Sequence, residues 1–128
     1  MNKVNVLYAE SSLKHYKELN KHFQIFAKRR NINFVQNDFN SIDYLAVIVF
    51  LNIDLAIIEN FDEYMQCLKN NEKTILPINI SPIHNEINII SSFNSVNPKL
   101  TEYLDNTCND MIYGNIANKI IDCLTSKI

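Results

Sequence analysis

The sequence predicts an α/β fold, a five-stranded parallel sheet doubly wound with helices on both faces. Two patterns lead there. Short apolar runs alternate with longer amphipathic segments from Val4 to Ser126, the signature of strand–helix–strand units with right-handed crossovers. The runs are also apolar nearly throughout, as expected of strands covered on both sides. At 128 residues, with no internal repeat or low-complexity linker, the chain fits one domain over residues 1–128, and a hydrophobic fraction of 47% is enough to build a core.

In chain order, Val4–Ala9 reads as the first strand, and Ser11 or Ser12 as the cap of the helix that follows. Leu13, Tyr16, Leu19, Phe23 and Phe26 recur at spacings of three and four and predict a helix from Leu13 to about Arg30. Lys28, Arg29 and Arg30 complement that helix's dipole at its end and are read as a helix end, not a nucleic-acid patch. Ile32–Val35 is a second strand and Asn37–Asn40 a turn. Ser41–Leu51 is read as a helix capped by Ser41, despite the strand propensity of Val47-Ile-Val-Phe50. A strand there would leave no room for a crossover before the next apolar run.

That next run, Ile53–Asn60, is expected to be the central strand, from Asp54 to Ile58, with Glu59 at its carboxyl end. Ligands and chemistry collect outside the carboxyl ends of strands in open α/β sheets. Asp62–Asn70 forms a short helix with Tyr64, Met65 and Leu68 inward. Thr74–Ile80 is a fourth strand, and Pro77 marks it as an end or edge. From Ser81 to Asn97 the pattern is irregular, with Ile87–Ile90 either a short strand or a packed loop. Pro98–Asn106 reads as a helix start, Asp110–Tyr113 as a fifth strand, and Asn115–Ser126 as a last helix burying Ile116, Ile120, Ile121 and Leu124.

Composition removes several classes of function. A net charge of −2 and pI near 5.9 give no general attraction to nucleic acid or anionic lipid. No apolar stretch approaches a membrane span and the polar start lacks a signal-peptide core, so a cytoplasmic protein is expected. Cys67, Cys108 and Cys123 are odd in number and widely spaced, which predicts reduced and mostly buried thiols and no zinc site. His15 and His22 lie seven apart on one helix without a third ligand. Gly114 is the only glycine, which excludes phosphate-cradling loops and leaves Asn to fill left-handed turns.

The stretch Asp54-Leu-Ala-Ile-Ile-Glu59 resembles the third strand of bacterial two-component receiver domains, which ends in the phosphorylated aspartate. Val6-Leu-Tyr-Ala-Glu10-Ser11 resembles their first strand, which closes with two Mg²⁺-binding acids. Asp110-Met-Ile-Tyr-Gly114-Asn115 resembles the fifth, which closes with Lys-Pro. The resemblance implies a flavodoxin-like sheet of order 2-1-3-4-5, with Glu59 at the phospho-acceptor position and Glu10 and Ser11 in the acidic pocket. It places Ser81 or Asn79, Met111 and Gly114 at the switch positions.

Phosphoryl transfer onto a carboxylate needs in-line geometry, a divalent cation and a lysine for the product charge. Glu59 is one methylene too long, a displacement of about 1 Å that can cost roughly 10²-fold, Ser11 replaces a metal-binding acid, and Gly114 stands in the lysine's place. The resemblance therefore implies a pseudo-receiver: not an enzyme, without a cofactor beyond residual Mg²⁺, acting in signalling by phosphorylation-independent protein–protein interaction. Its partner would dock on the face of the fourth helix, fifth strand and fifth helix, with a homodimer as one option. Either Glu59 imitates a phosphoaspartate or the pocket is inert and the face fixed; the second reading is preferred. The alternatives are a still phosphorylatable receiver, a Mg²⁺-dependent phosphotransfer or nuclease-type domain using Glu10, Glu59 and Asp62, and an interaction domain unrelated to receivers.

Overall fold

The computed structural model describes residues 2–83, 95–106 and 109–128. Four strands form one parallel sheet in the order β2-β1-β3-β4: β1 Asn2–Leu7, β2 Ile32–Gln36, β3 Ala46–Leu51 and β4 Ile75–Asn79. The helices are α1 Leu13–Arg30, a one-turn α2 Ile53–Ala56, α3 Phe61–Asn70 and α4 Asp110–Thr125, with 3-10 turns at Glu10–Ser12 and Leu100–Glu102. Strand residues of one parity, including Val4, Val6, Ile48 and Phe50, pack with α1 and α4. Those of the other, including Leu7, Val47, Val49 and Leu51, pack with α2 and α3. The sheet is thus covered on both faces, as the apolar runs require.

The first strand, α1, β2, α3 and β4 lie close to where the sequence puts them. Between them two assignments exchange places. Ala46–Leu51, expected to end a helix, is the central strand and is buried at every residue. Ile53–Glu59, expected to be that strand, is α2 and the turn after it. Only Leu55 of that run is fully buried, while Ile53, Ile57 and Ile58 face solvent. The crossover constraint between the two adjoining runs holds, since only one of them is a strand; it was applied to the wrong run, and residues 37–45 return from β2 to β3 without a helix. An extended segment of that length reaches roughly 30 Å, more than the length of a strand.

At the C-terminal end, Asp110–Tyr113 is the first turn of α4 and not a fifth strand. Asn109 accepts a hydrogen bond from the Ile112 N–H and caps the helix. Tyr113, Ile116, Ala117, Ile120 and Leu124 then form one buried stripe running past Gly114 without a break. Among the described residues the sheet has four strands. The expected helix at 98–106 is reduced to a 3-10 turn, and Ile87–Ile90 lies outside the described residues.

Ser12, next to α1, makes no side-chain capping bond, and Ser41 caps no helix but accepts from the Asp43 N–H in a turn. Asn31 and Asn37 adopt left-handed conformations, as expected of a chain almost free of glycine, and Glu72 does so too. Of the thiols, Cys67 is exposed and Cys123 half-buried, against the expectation of burial: each lies off its helix's apolar stripe. Cys108 lies outside the described residues.

Pro77 sits in β4, an edge strand among the described residues, as expected. Beyond it, the Val96 N–H donates to the Pro77 carbonyl at 2.8 Å. The buried Asn97 side chain accepts from the Asn79 N–H at 2.7 Å and donates to the Asn79 carbonyl at 2.9 Å. A single amide side chain thereby satisfies both backbone groups of an edge residue, as a neighbouring strand would.

Candidate functional site

The carboxyl ends of β1 and β3 converge on one polar cluster. β3 ends at Leu51, and buried Asn52 follows. Its carbonyl oxygen accepts from the Leu55 N–H at 3.0 Å, capping α2. Its amide N–H groups donate to Ser12 Oγ at 3.0 Å and Ser11 Oγ at 3.2 Å. Ser11 in turn donates to Asp54 Oδ2 at 2.6 Å. An Asn cap on a first turn carrying an acid is favoured by both hydrogen bonding and the helix dipole. A strand ending in such a cap is the reason the chain leaves the sheet here.

Of the residues expected to form the site, Ser11 takes part and Glu59 does not join it. Glu59 stands in the exposed turn between α2 and α3, because β3 ends at Leu51 and not at Ile58. The acid bonded to Ser11 is Asp54. Glu10 opens the 3-10 turn and is exposed. Ser81 follows β4 and is half-buried, whereas buried Asn79 is committed to Asn97. Met111 and Gly114 lie within α4, Met111 exposed, and neither is at a strand end. With Asp110–Tyr113 helical, the docking face built on a fifth strand loses its middle element. Sequence reasoning missed Asn52, Ser12 and Asp54; the available signal was a β-branched run stopped by Asn with an acid two residues later.

Beside the cluster, Tyr8 stacks on Tyr16 with ring centroids 4.6 Å apart. Phe50 meets both edge-on at 6.2 Å. Burial pushes both phenols above their ordinary pKa, so they remain neutral donors through the physiological range.

The fully buried His15 lies elsewhere on α1. Its Nδ1 is 2.7 Å from the Tyr113 hydroxyl and its Nε2 is 2.9 Å from Asp105 Oδ1. The two ring nitrogens thus face a carboxylate, which accepts, and a hydroxyl, which can donate or accept. The array has the order of a catalytic relay, but its hydroxyl end is buried, with Tyr113 only 5% exposed. It ties α1, α4 and the 103–106 segment together. His22, seven residues along α1, is exposed.

Chemically, the strand-end cluster is hydrogen-bonded within itself: Asn52 uses its carbonyl and both amide protons, and Ser11 is held by a carboxylate without an imidazole. Among the described residues no group of three or more His, Cys, Asp or Glu side chains is placed to hold a metal ion, and no helix is long and apolar enough to cross a membrane. No known family model, curated protein or solved structure matches the chain.

Proposed function

We propose that this chain is a receiver-like α/β domain that has lost phosphoryl transfer and acts in signalling through phosphorylation-independent binding of protein partners. The observation that carries the reading is Asn52 at the end of the central strand. In the receiver family that position holds the aspartate that accepts the phosphoryl group. A neutral amide tied to Ser11, Ser12 and the Leu55 N–H offers neither a nucleophile nor a metal ligand of full charge. The sheet order β2-β1-β3-β4 agrees with the first four places of the receiver order and supports the likeness.

Glu59, exposed in the α2–α3 turn, is not positioned to imitate a phosphoaspartate at the strand ends, which favours a constitutive binding face over a mimicked active state. That face is drawn on helix surfaces, since the fifth strand of the family pattern is here part of α4. Incubation with a small phosphodonor and Mg²⁺, followed by intact mass, tests the loss of chemistry. An unchanged mass is the expected result. A gain of one phosphate, lost on mutating Asp54 or Glu59, returns the chain to the conventional receivers.

A further inference from the structure

Charge is segregated along this chain. Residues 1–30 carry seven Lys and Arg against Glu10 and Glu18, whereas residues 31–68 carry six Asp and Glu and no Lys or Arg. Part of that division reaches the surface at two places of opposite sign, each with exposed apolar side chains.

The first lies at the C-terminal ends of α1 and α4. A groove of about 380 Å³ there is lined by Ile25, Phe26, Arg29 and Arg30 from α1 and Ile121 from α4, among others. Ile25 is 68% exposed. Neither Arg29 nor Arg30 has an ion-pair partner among the described residues. The second surface is the knuckle from α2 into α3. Ile57 is 71% exposed, with Ile53 and Ile58 also at the surface, and the exposed acids Asp54, Glu59, Asp62 and Glu63 surround them. Three exposed isoleucines within six residues are the kind of apolar surface that a partner can cover.

The two surfaces cannot face each other in a twofold dimer. α1 and α4 cover one face of the sheet, and α2 and α3 the other. α1 runs down to the start of β2, so the groove is at the amino end of the strands, whereas α2 leaves directly from the carboxyl end of β3. Groove and knuckle thus sit on opposite faces and opposite ends. A contact joining them between copies is heterologous, and such contacts propagate into rings or open strings.

We propose that the acidic isoleucine knuckle of one copy docks in the basic groove of the next, so that this chain assembles head to tail. Charge complementarity, with an apolar centre on both sides, selects a second copy as the occupant: the chain carries both halves of the contact. The inference deepens the binding reading above by naming a partner. Two small patches form an interface at the low end of the size range, so assembly is weak and concentration-dependent. Its electrostatic part is screened as the Debye length shrinks from about 30 Å at 0.01 M salt to about 3 Å at 1 M.

The test is sedimentation velocity of the full chain over a concentration series at low and high NaCl. Wild type is expected to grow past dimer as concentration rises at low salt, and to return to monomer at high salt. Two double variants, Arg29→Glu with Arg30→Glu, and Asp62→Lys with Glu63→Lys, are each expected to stay monomeric alone. Their equimolar mixture regains assembly, because the reversed groove of one accepts the reversed knuckle of the other, and wild-type circular dichroism for both excludes misfolding.

A wild type that stays monomeric, a mass that stops at dimer, or a mixture that fails to recover overturns the proposal. So does assembly that depends on the arginines but not on the acids, which assigns the groove to some other acidic partner. The phosphodonor experiment is independent of all these outcomes, so either reading can fail without the other.

Discussion

On the face covered by α1 and α4, two long helices lie against each other as well as against the strands, and Leu19, Phe23, Ile120 and Leu124 fill the space with apolar contacts. On the opposite face a one-turn helix and the ten-residue α3 do the covering, and the 37–45 crossover closes the remainder. That crossover is held largely by polar groups. Asn5, fully buried in β1, donates to the Asp38 carbonyl at 2.7 Å and to the Tyr64 hydroxyl at 2.9 Å, and accepts from the Asp38 N–H. The Tyr64 hydroxyl in turn donates to the Ser41 carbonyl at 2.6 Å. Tyr44 donates to the Asp38 carboxylate, and Phe39 sits edge-on over Tyr64. Where a second long helix is missing, a connected hydrogen-bond network takes its place, and the segment it orders carries little regular structure of its own.

The largest effects should come from the apolar cores. Leu19→Ala and Leu68→Ala, one on each face and both fully buried, are each expected to cost about 2–5 kcal/mol in urea unfolding. Because the sheet separates them, the double variant should be additive within about 0.5 kcal/mol; marked non-additivity would mean that the faces are not independent.

Asn5→Leu comes next, at about 1–3 kcal/mol, because it strands buried partners of the crossover. Its local signature distinguishes it from a general loss of stability. Amide exchange in residues 37–45 should accelerate well before that in α1 and α4, and uniform acceleration would refute the role given to Asn5.

Gly114→Ala should act in the opposite direction. Gly114 lies inside α4 with no left-handed φ, and an added methyl meets only the His22 ring at 3.8 Å, an ordinary contact. A gain of about 0.5–1 kcal/mol is expected from helix propensity, measured as a higher urea midpoint. A loss would indicate a constraint on this position that the fold does not account for.

The smallest effect is the pH dependence of the crossover. The Tyr44 hydroxyl, followed by the Asn40 N–H, holds Asp38 below its ordinary carboxylate range. Stability from Asp38 is therefore present above that range and lost as pH falls through the lowered value. Burial, then the bond to Asp38, pushes Tyr44 far above its usual 10.0, so its contribution is complete below pH 10 and lost as pH rises toward the raised value. Tyr44→Phe should flatten both limbs of the stability profile; an unchanged acid limb would show that Asp38 is held by other groups.

Much of the fold could be read from the sequence wherever an amphipathic stripe was unbroken, as in α1 and α3, and wherever a buried run stood alone, as in β1 and β4. The error arose between Ala46 and Ile58, where two apolar runs of similar length adjoin and only one can be the central strand. What separates them is Asn52. As a cap it ends the first run and turns the second into a helix, and that role depends on a hydrogen bond to the Leu55 N–H which periodicity does not encode. The site moved with the strand end, so Ser11 was legible while Asp54 and Asn52 were not. Gly114 misled in the same way, since glycine inside a helix carries no local mark of its setting.

The amide of Asn97, seated on both backbone groups of Asn79, bears on how the protein meets its own kind at high concentration. A bare parallel edge is a template for cross-β growth, and here the β4 margin is already plugged by a side chain that cannot be extended by further strands. Among the described residues the other open margin is the short β2, so copies of this chain are steered away from fibril-type pairing and toward contacts between folded bodies.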